Sequence, residues 1–188
     1  MRHKYATEAI VLGHYAAREQ AASVILLTCD LGLIRARAEG LRKPSSKMAH
    51  ALQTLSECEV TLLRGKDTWR LAGAILTKNW FLALDRAARL RAARVTGLLL
   101  RLVQGEHADT ELFDAFSGFL RELPGKDEAA QDALECLAAL RILRSLGLDT
   151  GALPEGGEMY ETSALEAIET ERKDVIMRIN RGIAASGM

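Results

Sequence analysis

Apolar and polar positions alternate with a period of two over much of the first eighty residues, and with a period near 3.6 after residue 79. Residues 7–15 set Ile10 and Leu12 on one side and Ala9 and Val11 on the other. Residues 23–28 form an unbroken aliphatic run, the pattern of a strand buried on both faces, and Cys29-Asp30-Leu31-Gly32 supplies turn chemistry. Residues 33–39 put Ile34, Ala36 and Ala38 opposite Arg35, Arg37 and Glu39. Residues 56–63 put Cys58, Val60 and Leu62 opposite Glu57, Glu59 and Thr61. Arg64-Gly65-Lys66-Asp67 reads as a hairpin connection into a last strand over residues 69–76. Five short strands separated by turns predict a small β barrel.

The second part predicts a helical bundle. Residues 81–104 carry Val95, Leu98, Leu99 and Leu102 at helical spacing, and Leu112, Phe116, Phe119, Leu120 and Leu123 mark a second helix. Residues 127–146 are apolar nearly all round, as the central helix of a bundle would be, and Gly147 is a natural stop. Residues 150–162, with Gly151, Pro154, Gly156 and Gly157, are loop-like. Ser163-Ala164-Leu165-Glu166 fits a capping box that opens one last helix bearing Ile168, Val175, Ile176, Ile179 and Ile183. The predicted fold class is therefore α+β, with a β domain over residues 1–79 and an α-helical domain over 80–188.

Composition narrows the class further. A chain 48% hydrophobic and 27% charged can bury a core. Apolar runs such as 24–27 and 98–100 are far short of a membrane span, and the first residues lack the apolar core of an export signal. Cys29, Cys58 and Cys136 are too scattered for a zinc site or a disulfide framework. These features predict a cytoplasmic protein with no membrane partner.

The formal net charge of zero conceals a division. Residues 1–104 hold 17 Lys and Arg against 8 Asp and Glu; residues 105–188 hold 8 against 17. Local field steers a polyanion, so the first half is the candidate nucleic-acid face. Its cations cluster: Arg35 and Arg37 on one strand face, Arg42, Lys43 and Lys47 in the next loop, Arg64 and Lys66 about the hairpin, and Arg70 beside Trp69. Ser45 and Ser46 add hydroxyls for phosphate. Lys and Arg on a barrel exterior also serve simply as solvated surface, and Glu57 and Glu59 read that way. Stacking platforms are few in the β domain: Tyr5, Tyr15, Trp69 and Trp80, of which Trp80 fits a core position. Phosphate contacts, weak sequence preference and steep salt dependence are expected. No phosphate loop and no nucleophile elbow occur, and His3, His14, His50 and His107 are scattered singly. Cys29 has no identifiable base partner. No enzyme and no cofactor are expected.

The order of several segments is similar to that of a known family. Thr7-Glu8-Ala9-Ile10-Val11-Leu12, Leu27-Thr28 followed by Leu31-Gly32-Leu33-Ile34, Ala38-Glu39-Gly40-Leu41-Arg42-Lys43-Pro44-Ser45-Ser46-Lys47 and Ala51-Leu52-Gln53 together resemble the N-terminal domain of the RecO recombination-mediator family. The stretch 60–65 followed by Trp69-Arg70-Leu71, and the tail Arg178-Ile179-Asn180-Arg181, also look like it. The resemblance implies an OB-fold, then an α-helical domain. It implies a non-enzymatic role in DNA repair and recombination: binding single-stranded and double-stranded DNA, annealing complementary strands, and acting with RecR to load RecA on DNA covered by single-strand-binding protein. It further implies an interaction of the helical domain with the acidic C-terminal tail of that protein, and a cytoplasmic, nucleoid-associated location. On the matching loop pattern it assigns DNA contact to Arg42, Lys43, Ser45 and Lys47; charge placement adds Arg35, Arg37, Arg64, Lys66 and Arg70.

Two departures stand out. Family members usually carry lysine before the loop glycine, where this chain has Glu39; many also carry a four-cysteine zinc module, where residues 148–162 hold no cysteine. No zinc and a compact loop are expected there. For the acidic tail, the 81–104 helix offers Arg86, Arg89, Arg91, Arg94 and Arg101, of which Arg86, Arg89, Arg94 and Arg101 are the partner-binding candidates. An alternative is an OB-fold protein-interaction adaptor with weak nucleic-acid binding, favoured by Glu39 and the scarcity of stacking aromatics.

Overall fold

A computed structural model describes residues 3–16, 21–39, 47–66 and 68–187. The chain divides into two compact units, residues 1–83 with 104–110, and residues 84–103 with 111–188. The first boundary thus falls a few residues beyond the expected one, and a short return segment joins the barrel unit.

Five strands build the first unit: β1 (Lys4–Ala16), β2 (Ala21–Thr28), β3 (Gly32–Glu39), β4 (Ser56–Arg64) and β5 (Trp69–Asn79). They close into a barrel of order β1-β2-β3-β5-β4. All neighbours are antiparallel except β3 and β5, which run parallel and meet at Ala36 with Trp69 and Arg37 with Arg70. The expected alternation holds on β3, where Ile34, Ala36 and Ala38 enter the core and Arg35 and Arg37 face solvent. In β2, Val24, Leu26 and Leu27 are buried and Ile25 is partly buried, as a strand covered on both faces requires. A short helix, α1 (Lys47–Ala51), joins β3 to β4, and Met48 and Leu52, four residues apart, pack against the barrel core.

The β2–β3 turn needs glycine at one position. Gly32 sits at φ +74°, and a Cβ there would lie 2.1 Å from the carbonyl oxygen of His107 in the return segment. Thr28 secures the same turn, its hydroxyl donating to the Gly32 carbonyl at 2.8 Å and accepting from the Leu31 N–H at 3.1 Å.

The expected 81–104 helix is two helices, α2 (Trp80–Ala83) and α3 (Arg86–Leu102). Polar side chains start each: Asn79 Oδ1 accepts from the Leu82 N–H at 3.2 Å, and Asp85 Oδ1 accepts from the Ala88 N–H at 2.8 Å. The second unit comprises α3, α4 (Thr110–Glu122, apart from its first residue), α5 (Glu128–Ser145), α6 (Thr162–Thr170) and α7 (Arg172–Ala185). As expected, α5 is central: it packs on α3, α6 and α7 and buries ten of its side chains. Gly147, at φ +69°, ends it, with the Leu148 N–H on the Leu143 carbonyl and the Gly147 N–H on that of Arg144.

Two expectations are corrected at the C-terminal end. The last helix is broken at Glu171, where Thr170 bonds its hydroxyl back to the Glu166 carbonyl and acidic residues crowd the end of α6. The capping box does not form, because α6 starts at Thr162; Ser163 lies inside it and donates to the Glu155 carbonyl at 3.4 Å.

Candidate nucleic-acid interface

Outward-facing residues in register define a row around the barrel. Lys4 pairs with Leu63, Leu63 with Arg70, Arg70 with Arg37, Arg37 with Ser23, and Ser23 with Tyr15. Partners in register project from the same face, so Arg70 and Arg37 stand side by side on parallel strands about 4.8 Å apart. Arg35, two residues before Arg37, extends the positive face along β3. The two side chains put positive charge on one outward face of the barrel.

The other expected contacts divide. Lys66 is exposed in the β4–β5 turn, closed by the Gly65 N–H donating to the Thr68 carbonyl at 2.9 Å. Arg64 lies over the Trp69 ring, 4.6 Å from its centroid, and pairs with Glu106 of the return segment, so its charge is largely met from within the unit. Arg42, Lys43 and Ser45 lie outside the described residues; Lys47 is described only as the first backbone residue of α1.

The aromatics sort by strand parity. Trp69 points into the barrel, 5% exposed, with Tyr5 edge-on at 5.3 Å, and so offers no open face for a base. Trp80 is buried, its indole N–H donating to Glu57 Oε2 at 2.7 Å, so Glu57 is a bonded side chain rather than simple solvated surface. Glu8 and Glu59 stand opposite each other on β1 and β4, a like-charged pair that repels polyanions from that face. The thiols of Cys58 and Cys136 are pushed up by burial to about 12 and about 11, with neighbouring carboxylates adding to it. They are structural groups, not nucleophiles.

A second feature lies in the helical unit. A groove of about 350 Å³ runs between α3, α5 and α7, floored by Val95, Leu98, Ala139, Ile176, Ile179 and Ile183. An ion network forms its polar end. Arg91, 8% exposed, donates to Asp132 at 3.2 Å and to Glu135 at 2.9 Å. Arg94 grips Glu135 through two bonds of 2.5 Å, and Arg172 grips Asp132 at 2.6 and 3.2 Å. The Arg172 guanidinium, with Arg91 behind it, holds the Asp132 carboxyl below the usual carboxylate range. Three guanidiniums face two carboxylates, which leaves one positive charge beside an apolar floor. Of the partner candidates only Arg94 lines this groove; Arg86, Arg89 and Arg101 do not. Sequence reasoning missed Arg172, which the turn at Glu171 brings against α5.

The loop after α5 is compact. Arg178 of α7 holds it, donating to Asp149 Oδ1 at 2.7 Å, to the other Asp149 oxygen, and to the carbonyls of Gly151 at 2.6 Å and Ala152 at 2.8 Å. Tyr160 closes its far side, its buried hydroxyl donating to the Ala115 carbonyl at 2.5 Å. No cluster able to hold a metal ion occurs among the described residues. None of the described helices is long and apolar enough to cross a membrane.

A closed five-stranded barrel of this order, with a helix between β3 and β4 and a helical domain after it, makes the chain an OB-fold protein of α+β class. Residues 1–80 match the family model for the recombination protein O N-terminal domain. The first eighty residues are thus similar to the N-terminal domain of RecO proteins. It is 31% identical to the DNA repair protein RecO of Desulforudis audaxviator over 153 residues, 80% of this chain and 52% of that protein. It is 32% identical to that of Dehalococcoides mccartyi over 155 residues, 81% and 58% of the two chains, and 31% identical to that of Variovorax paradoxus over 147 residues, 78% and 56%. The chain thus spans a little over half the length of these relatives.

Proposed function

We propose that this chain is a non-enzymatic recombination mediator of DNA repair. It binds single- and double-stranded DNA along the Arg37–Arg70 face, anneals complementary strands, and acts with RecR to help load recombinase on DNA covered by single-strand-binding protein. The observation that carries the reading is the parallel contact of β3 with β5, which sets Arg37 against Arg70 on one outward face. Cations on one outward face favour a sugar–phosphate chain through charge-assisted hydrogen bonds and counterion release. Arg35, Lys4 and Lys66 supply longer-range attraction, and Arg42, Lys43, Ser45 and Lys47 are proposed contacts in the adjoining loop. The acidic tail of single-strand-binding protein is assigned to the groove of the helical unit, where Arg94 and Arg172 meet its carboxylates and the isoleucine floor meets its apolar side chains.

Fluorescence anisotropy with a labelled thymidine oligonucleotide at several salt concentrations tests the DNA reading. The unchanged protein should bind at low salt and weaken steeply as salt rises. The Arg37→Ala/Arg70→Ala double variant should lose roughly 1–3 kcal/mol, and its log–log salt slope should flatten by about 1.4. No binding at low salt, or binding indifferent to salt, rules the reading out and favours the adaptor alternative. Glu106 on Arg64 and the buried Trp69 ring speak for that alternative.

A further inference from the structure

We infer that Tyr15 is a base-stacking residue that makes the Arg37–Arg70 face prefer single strands; this rests on the DNA-binding reading above. The argument begins with a bulge. Val11 pairs with Leu26 and Gly13 with Ile25, so Leu12 is an extra residue in β1. In a regular strand Val11, Gly13 and Tyr15 would all face the core, because successive side chains alternate. The extra residue inverts that parity. Val11 remains in the core, whereas Tyr15 pairs with Ser23 and shares its outward face with Arg37. The consequence is a large aromatic ring, 40% exposed, in the same row as the two arginines. Ser23 between them is small and 1% exposed, so it adds no large side chain to the row, and Tyr15 and Arg37 are the exposed residues on either side of it.

Two strand spacings, about 10 Å, separate Tyr15 from Arg37. A nucleotide whose base lies on the tyrosine ring can direct its backbone toward the guanidiniums, so stacking and phosphate contact act on one strand together. In a duplex the faces of each base are covered by its neighbours, and a flat ring finds nothing to stack on. Tyr15 therefore adds affinity for unpaired nucleotides only, while Arg37 and Arg70 act on either form. Tyr5, the other exposed tyrosine of the barrel, packs its ring edge-on to Trp69 and faces inward.

The test uses the full chain and the Tyr15→Ala and Tyr15→Phe variants, each shown by circular dichroism to melt like the parent. Binding is measured to a thymidine oligonucleotide and to a duplex of equal length. Tyr15→Ala should weaken single-strand binding roughly 5- to 100-fold, the range of one base–aromatic stack, and leave the salt slope and the duplex affinity unchanged. Tyr15→Phe should bind like the parent. Irradiation of a complex containing 5-iododeoxyuridine should attach the oligonucleotide at Tyr15. Equal loss on single strand and duplex, or no loss on either, overturns the inference while leaving DNA binding intact. Failure of the unchanged protein to bind any DNA overturns the underlying reading as well.

Discussion

At the scale of single residues, Gly32 is the most constrained position described. Its positive φ alone costs a substituted residue about 1–2 kcal/mol, and a Cβ at 2.1 Å from the His107 carbonyl oxygen forces backbone apart on top of that. Gly32→Ala should lower stability to urea by more than about 2 kcal/mol, read from the midpoint at constant slope. A loss within about 0.5 kcal/mol would show that the return segment does not press on this turn. Arg37 and Arg70 represent the opposite case. Arg37 is exposed and Arg70 half-buried, so urea melts of their variants separate any loss of stability from loss of DNA binding.

At the scale of elements, the junction of α5, the following loop and α7 depends on the Asp149–Arg178 pair. Arg178 holds the Asp149 carboxyl well below its usual value, with burial opposing. A depressed folded pKa contributes stability that is fully present above the unfolded value near 4 and is lost as pH falls through the folded one. Asp149→Asn should therefore cost about 1–3 kcal/mol at pH 7, and the gap between it and the parent should narrow as pH falls below about 4. Urea melts across pH 2.5–7 check this; a constant gap between the two proteins would show that the pair carries no pH-dependent stability. The two helix breaks show how far periodicity reaches at this scale. Apolar spacing runs on through residues 81–104, yet the Asp85 carboxylate offers the backbone a better partner at Ala88 than another turn of helix would. Similarly, Ile168 and Val175 share an apolar pattern, but α6 and α7 turn apart between them at Glu171.

At the scale of the whole molecule, the two sequence halves carry opposite charge, yet the proposed function uses a positive site in each unit. The barrel presents arginines to a polyanion, while the helical unit leaves one surplus guanidinium beside an apolar groove. A synthetic acidic peptide with apolar residues before a free C-terminal carboxylate should bind that groove. Arg172→Ala should weaken binding about tenfold by removing a charge-assisted contact, and Ile179→Glu should abolish it by placing charge on the floor. Affinity of the peptide unchanged in both variants would place the tail elsewhere on the chain.

Strand and helix positions, the buried α5 and the basic character of the first half were legible in the sequence, because each depends on neighbours in the chain: alternation, helical spacing and local charge. So was the loop-like character of residues 150–162, from Gly151, Pro154, Gly156 and Gly157. Which cations stand together was not. Arg37 and Arg70 are 33 positions apart, and they meet only because β3 and β5 pair in parallel to close the barrel. Tyr15 faces outward only because a bulge at Leu12 reverses the parity of β1. Arg172 reaches the groove only because the chain turns at Glu171. A residue's own neighbours decide what element it occupies, but the partner strand or helix decides which side it shows and what stands beside it. That pairing is a long-range contact with no local signature, and only the tertiary structure could reveal it.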